Sequence, residues 1–152
     1  MSSVEKLNVG REWHGYSCPI FQGQSDTNTK EFIKDGEVVP NKSASAGKDY
    51  NSISLVDIFR MEPANANKMD GPAFIPSTYK AFDARRHKSQ QDHGEYVSLT
   101  ADIDSGNHPL SKVNEVIASI FDGYAWLIYS SAHALAGDMR WRVIIPLEKP
   151  VA

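Results

Sequence analysis

The sequence predicts an α+β fold whose C-terminal part is a strand, helix, strand, strand unit, and three observations carry that expectation. YVSLTADI, residues 96–103, is an apolar run of strand length. PLSKVNEVIASIF, residues 109–121, sets Leu110, Val113, Ile117, Ile120 and Phe121 at helical spacing, with Pro109 opening the helix and Gly123 following it. AWLIYSSA (125–132) and RWRVIIPL (140–147) are two further strand-like runs, joined by the short loop HALAGDM, whose Gly137 suits a hairpin. Together they make three-quarters of a βαββαβ plan, and the missing helix and fourth strand are expected beyond Ala152.

The 152 residues suit one domain, with 1–94 as an N-terminal α/β extension and 95–152 as its core. In the extension, EFIKDGEVVP (31–40) alternates weakly around Asp35-Gly36 and predicts a two-stranded hairpin. NKSASAG (41–47) has the composition of a linker. SISLVDIFRM (52–61) fits either a strand or a short helix; helix is preferred, with Ser52 or Ser54 as its cap. Pro63 breaks that element, and PAFIPS (72–77) reads as a short extended piece.

Composition narrows the function classes. Hydrophobic residues make up 41% and charged residues 23%, and no apolar run approaches the ~18 residues a membrane span needs. The N-terminus lacks the charged start and apolar core of a secretory signal, so a cytoplasmic location is expected. Cys18 is the only cysteine, which excludes an internal disulfide and a cysteine-rich zinc site. A net charge of −3 argues mildly against a broad nucleic-acid footprint; Arg85, Arg86, His87 and Lys88 form the only concentrated basic run, a pattern that more often marks a solvated face.

Two segments carry chemistry. In EYVSLTADIDSG, Asp102 and Asp104 stand one residue apart at a strand end, so extended geometry projects both carboxylates to one face. Such a pair suits Mg²⁺ or Mn²⁺, which take oxygen ligands and keep positions open for phosphates. Two such ions about 4 Å apart would serve an in-line nucleotidyl transfer. The competing structural reading is a solvated turn in which Asp104 caps the loop before the helix. A calcium loop fails, because its fifth and twelfth positions hold Gly106 and Val113. A haloacid-dehalogenase-like phosphatase fits poorly, since only 48 residues follow Asp104. Nothing in the chain marks the sugar site that a nucleotide-sugar transferase would need.

In the second segment Ser131 and His133 share a face, and the hairpin return brings Arg140 and Arg142 alongside. A hydroxyl, an imidazole and guanidinium groups supply the donors a triphosphate requires. The alternative for the arginines is cross-strand surface pairing with acids such as Asp138 or Glu148.

These motifs resemble those of the archaeo-eukaryotic primase superfamily, in particular the primase-polymerase domains of phage and plasmid replication proteins. TADIDSG is similar to the family's paired-aspartate motif, YSSAH to its Ser-x-His motif, and RWRVIIPLEKPV to the Arg-rich strand and PL-x-x-P ending of phage members. The resemblance is clearest over residues 95–151. It implies an RRM-like βαββ unit of a primase-polymerase domain, with 95–152 as a partial catalytic, palm-like core. Asp102 and Asp104 would be metal ligands and, with His133, catalytic residues; Ser131, His133, Arg140 and Arg142 would bind the nucleotide. The implied partners are a nucleoside triphosphate, a DNA template and, in the full-length protein, a helicase domain.

The family's third motif, a further carboxylate on a later strand, has no counterpart before residue 152. Three accounts stay open: a fragment of a longer replication protein, which is favoured; a truncated or degenerate product; or substitution by an upstream acid such as Asp83 or Asp92. A fragment would leave a sheet edge exposed and prone to self-association. The enzymatic reading therefore stands beside a second one, a non-catalytic nucleic-acid-binding or replication-initiation module whose acids only cap loops. A rolling-circle nickase is discounted for want of a His-x-His pair.

Overall fold

The computed structural model describes residues 6–10, 15–22, 31–40, 49–62, 70–131 and 134–152. They form a mixed α+β structure with antiparallel sheets. In chain order these residues give β1 (Lys6–Val9), β2 (Ser17–Gln22), β3 (Glu31–Lys34), β4 (Glu37–Pro40), β5 (Asn51–Ser54), α1 (Leu55–Arg60) and β6 (Pro72–Phe74). There follow α2 (His87–His93), β7 (Tyr96–Ile103), α3 (Leu110–Ile120), β8 (Trp126–Ser130) and β9 (Trp141–Val151).

The hairpin expected at Asp35-Gly36 is β3 paired with β4. Both turn residues have positive φ, 53° and 82°, as a two-residue turn matching strand twist requires, and glycine takes the second position without steric cost. The ambiguous stretch from Ser52 resolves into both of its readings, since β5 ends at Ser54 and α1 starts at Leu55. Ser54 is the cap: its hydroxyl accepts from the Asp57 amide at 3.1 Å and donates to the Asp57 carboxylate at 2.7 Å. The presumed linker at 41–47 lies outside the described residues.

The main sheet has the order β1-β8-β9-β7 and is antiparallel throughout. β9 therefore lies between β7 and β8, the two strands that α3 connects. The fourth strand is β1, drawn from the N-terminal part and laid against β8. Central β9 outruns its expected end at 147, continuing past Leu147 to Val151. Pro146 lies beyond Ile144, the last residue paired with β8, and opposite Ser98, where the β7 register shifts; with a neighbour on one side only, the missing amide proton is tolerated.

Two apolar clusters cover the two faces of this sheet. On one, Val113 of α3 packs with Trp126, Ile128, Trp141, Val143 and Ile145, and Leu110, Ile117 and Ile103 join them. The indoles inside this layer satisfy their donors, Trp126 to the Asn114 side chain at 3.0 Å and Trp141 to the His108 carbonyl at 2.8 Å. On the other face, Leu127, Ile144 and Val97 pack against Cys18, Leu55 and Ile58, which come from β2 and α1. That second layer is built on the three-stranded sheet β5-β2-β6. No helix among the described residues is long and apolar enough to cross a membrane.

The basic run is dispersed by α2 and the turn before it. The Arg85 guanidinium lies 4.2 Å from the Phe21 ring centroid, and Lys88 pairs with Asp92 at 2.6 Å. Gln90 is the buried residue of α2 and donates to the carbonyls of Tyr79 and Ala84 at 3.2 and 2.6 Å.

Candidate metal and phosphate site

Asp102 is the penultimate residue of β7, and its Cα is paired with that of Arg142 on β9, which in turn is paired with Tyr129 on β8. Because side chains alternate along a strand, these three share one face. Ile103 turns the opposite way, into the α3 cluster. The shared face is the one carrying Leu127 and Ile144, so the site begins where the second layer stops covering the sheet. Tyr129 marks that border, packed against the core cluster on one side and facing Arg142 on the other.

The central contact is a two-pronged ion pair. Arg142 Nε donates to Asp102 Oδ1 at 2.6 Å and Nη2 donates to Oδ2 at 3.0 Å. The side chains remain 36% and 47% exposed, so solvent screens the pair although its geometry matches the fork a guanidinium offers a carboxylate. The hydrogen bonds from Arg142 to Asp102 hold the guanidinium charged well beyond the usual arginine range, against the opposing effect of burial. Burial pushes the Tyr129 phenol up, and the neighbouring Arg142 charge partly offsets that.

One step further out, Arg140 donates to a single oxygen of Asp138, from Nε at 3.2 Å and Nη2 at 2.9 Å. The surface pairing with Asp138 considered from sequence is thus present for Arg140, whereas Arg142 takes Asp102. Hydrogen bonding to Asp138 raises the Arg140 pKa, and the charge of Asp104 adds to it, which places Asp104 within electrostatic reach of that guanidinium. The Ser131 amide donates to the Arg140 carbonyl at 2.9 Å. Its hydroxyl oxygen is buried and has no hydrogen-bond partner among the described residues.

The loop from 104 to 109 is tied to the β8–β9 return. The Met139 amide donates to the Asn107 side chain at 2.9 Å, and Trp141 reaches the His108 carbonyl. Gly106, at φ 90°, lets the loop fold tightly, and a Cβ there would run into the His108 imidazole. α3 starts after Pro109 with no side-chain cap, so Asp104 is not spent on capping that helix.

His133 lies outside the described residues. Among the described residues, no group of three or more His, Cys, Asp or Glu is arranged to hold a metal ion. The upstream acids are engaged within their own region. Asp83 accepts from Tyr79 at 2.7 Å and Ser89 at 2.6 Å, and Asp92 accepts from Lys88. The donor set nevertheless suits a hard divalent ion, which commonly takes one or two carboxylates and completes its shell with water and substrate phosphates. Arg142 occupies one lone-pair direction on each Asp102 oxygen, so a cation there would compete with the guanidinium for the carboxylate charge. Tyr129, missed in the sequence reading, was accessible by the period-two argument that placed Ser131 and His133 together. No protein-family model, curated protein or solved structure matches this chain.

Proposed function

We propose that this chain is a primase-polymerase-type nucleotidyltransferase domain of a phage or plasmid replication protein, binding a divalent metal and a nucleoside triphosphate. The observation that supports it best is the two-pronged pairing of Asp102 with Arg142 on one sheet face, where the two motifs meet, with Arg140 and Asp104 in electrostatic reach of each other. The order of β7, α3, β8 and β9, with β9 between the strands that α3 joins, is compatible with the RRM-like unit this reading requires. In it Asp102 and Asp104 would hold Mg²⁺ or Mn²⁺, which supplies neutralising charge to the phosphates. Arg142, Arg140 and Ser131 would bind and orient the triphosphate, and His133 would join them from the Ser-x-His motif. A DNA template, a helicase domain in the full-length protein and self-association along the free part of β7 belong to the same proposal.

One observation favours the second reading, a non-catalytic nucleic-acid-binding or replication-initiation module. Both oxygens of Asp102 are taken by Arg142, which is what a purely structural acid would show. Calorimetry of nucleoside triphosphate binding with Mn²⁺ separates the two, comparing the chain with its Asp102→Ala/Asp104→Ala variant. Binding that needs both the metal and the aspartates supports the transferase reading. A folded chain that binds single-stranded DNA without metal, and no triphosphate, supports the module.

A further inference from the structure

We propose that the Arg142–Asp102 ion pair is a latch that keeps the metal and phosphate halves of the site mutually closed until both ligands arrive. The inference rests on the nucleotide-site reading above and adds how that site is regulated. A single guanidinium occupies both oxygens of the inner carboxylate, through bonds of 2.6 and 3.0 Å. While it does so, one lone-pair direction on each Asp102 oxygen is spent and the carboxylate charge is neutralised, and Arg142 has two of its five donors turned away from any phosphate. Either ligand alone must weaken the pair unaided. A cation taking Asp102 releases Arg142 to an anion, and an anion taking Arg142 releases Asp102 to a cation. Each ligand therefore lowers the cost of binding the other, and the coupling is reciprocal.

The surroundings supply what such an exchange needs. The pair is 36% and 47% exposed, so water can enter as it opens. Tyr129 borders the guanidinium from the neighbouring strand and packs on its other side against the core cluster. Arg140 is anchored to one oxygen of Asp138 and does not compete for Asp102.

The test is Mn²⁺ binding to the intact chain without nucleotide, followed by electron paramagnetic resonance, in wild type, Arg142→Gln, Arg142→Lys and Arg140→Gln. The latch predicts that Arg142→Gln binds Mn²⁺ about two- to five-fold more tightly than wild type, the scale on which a well-formed exposed ion pair acts. Arg142→Lys keeps the charge but loses the fork, and is expected between the two. Arg140→Gln removes the same charge from the same face and should gain less than Arg142→Gln. Equal affinity in wild type and Arg142→Lys, with equal gains in Arg142→Gln and Arg140→Gln, would reduce the effect to net charge and overturn the latch. Replacing Asp102 and Asp104 by Asn separates the layers of the argument. If they abolish Mn²⁺ binding in every background while Arg142 changes nothing, the latch alone fails. If no variant binds Mn²⁺ through the aspartates, the nucleotide-site reading fails with it.

Discussion

Arg142 grips both carboxylate oxygens of Asp102 from the adjoining strand, across 40 residues of sequence. The contact joins the two motifs that carry chemistry, one at the end of β7 and the other on the β8–β9 return. Through it the Asp102 carboxylate is neutralised and the Arg142 guanidinium is occupied.

The pair should contribute little to stability. Both side chains are more than a third exposed, so a double-mutant cycle with Asp102→Asn and Arg142→Gln in urea denaturation should give a coupling of about 0.5–1 kcal/mol. A coupling near 3 kcal/mol would mark the pair as a buried structural element and weaken its reading as a ligand site.

Ser131 should trade stability for binding in the opposite sense. Its hydroxyl oxygen is buried without a partner among the described residues, so Ser131→Ala is expected to leave the unfolding free energy unchanged or raised by about 1 kcal/mol. Triphosphate affinity should fall in the same variant. A loss of stability with unchanged affinity would show that the hydroxyl serves the fold.

Much of the fold was legible because its signals are local. β7 has the bounds that YVSLTADI predicts, and α3 lies within its apolar period. Asp35-Gly36 announces its turn through the backbone it must adopt, and Ser54 announces α1 through its hydroxyl. What escaped has no local signal. β1 is a strand because β8 offers an edge to Lys6–Val9, and α2 buries Gln90 instead of an apolar stripe. The site divides the same way. Asp102 and Arg142 could each be chosen from their motifs, but their bond depends on the register between β7 and β9, which no spacing within either segment encodes. Arg140 turned to Asp138 because that acid is two residues away on the same return.

Cys18 should be inert in the folded chain. It is 1% exposed and burial pushes its thiol up to about 12. Alkylation by iodoacetamide at pH 8 should be slower than for the urea-unfolded chain by at least about a hundred-fold. The sign of the linkage follows: a raised folded pKa gives stability that is complete below the ordinary thiol value of 9.0 and is lost as pH rises towards 12. Cys18→Ala should flatten that alkaline decline.

Asp83 ties the turn before α2 to Tyr79 and Ser89 and gives that region an acid sensitivity. Burial alone would raise its pKa, but hydrogen bonds from Ser89 and Tyr79 and the charge of Arg86 together hold it below the ordinary 3.8. A depressed folded pKa means stability present above about pH 4 and lost as pH falls through the folded value. Thermal unfolding between pH 6 and pH 2.5 should show a smaller acid-induced drop in Asp83→Asn than in wild type. Parallel curves would remove Asp83 from the account.

The most direct test of the site is paramagnetic broadening of backbone amide resonances by Mn²⁺ in the presence of a nucleoside triphosphate. The account predicts that broadening centres on Asp102 to Asp104, Tyr129 to Ser131 and Arg140 to Arg142, and that Asp102→Ala/Asp104→Ala abolishes it. Broadening centred on Asp83 and Asp92, or none at all in a folded chain, would contradict it.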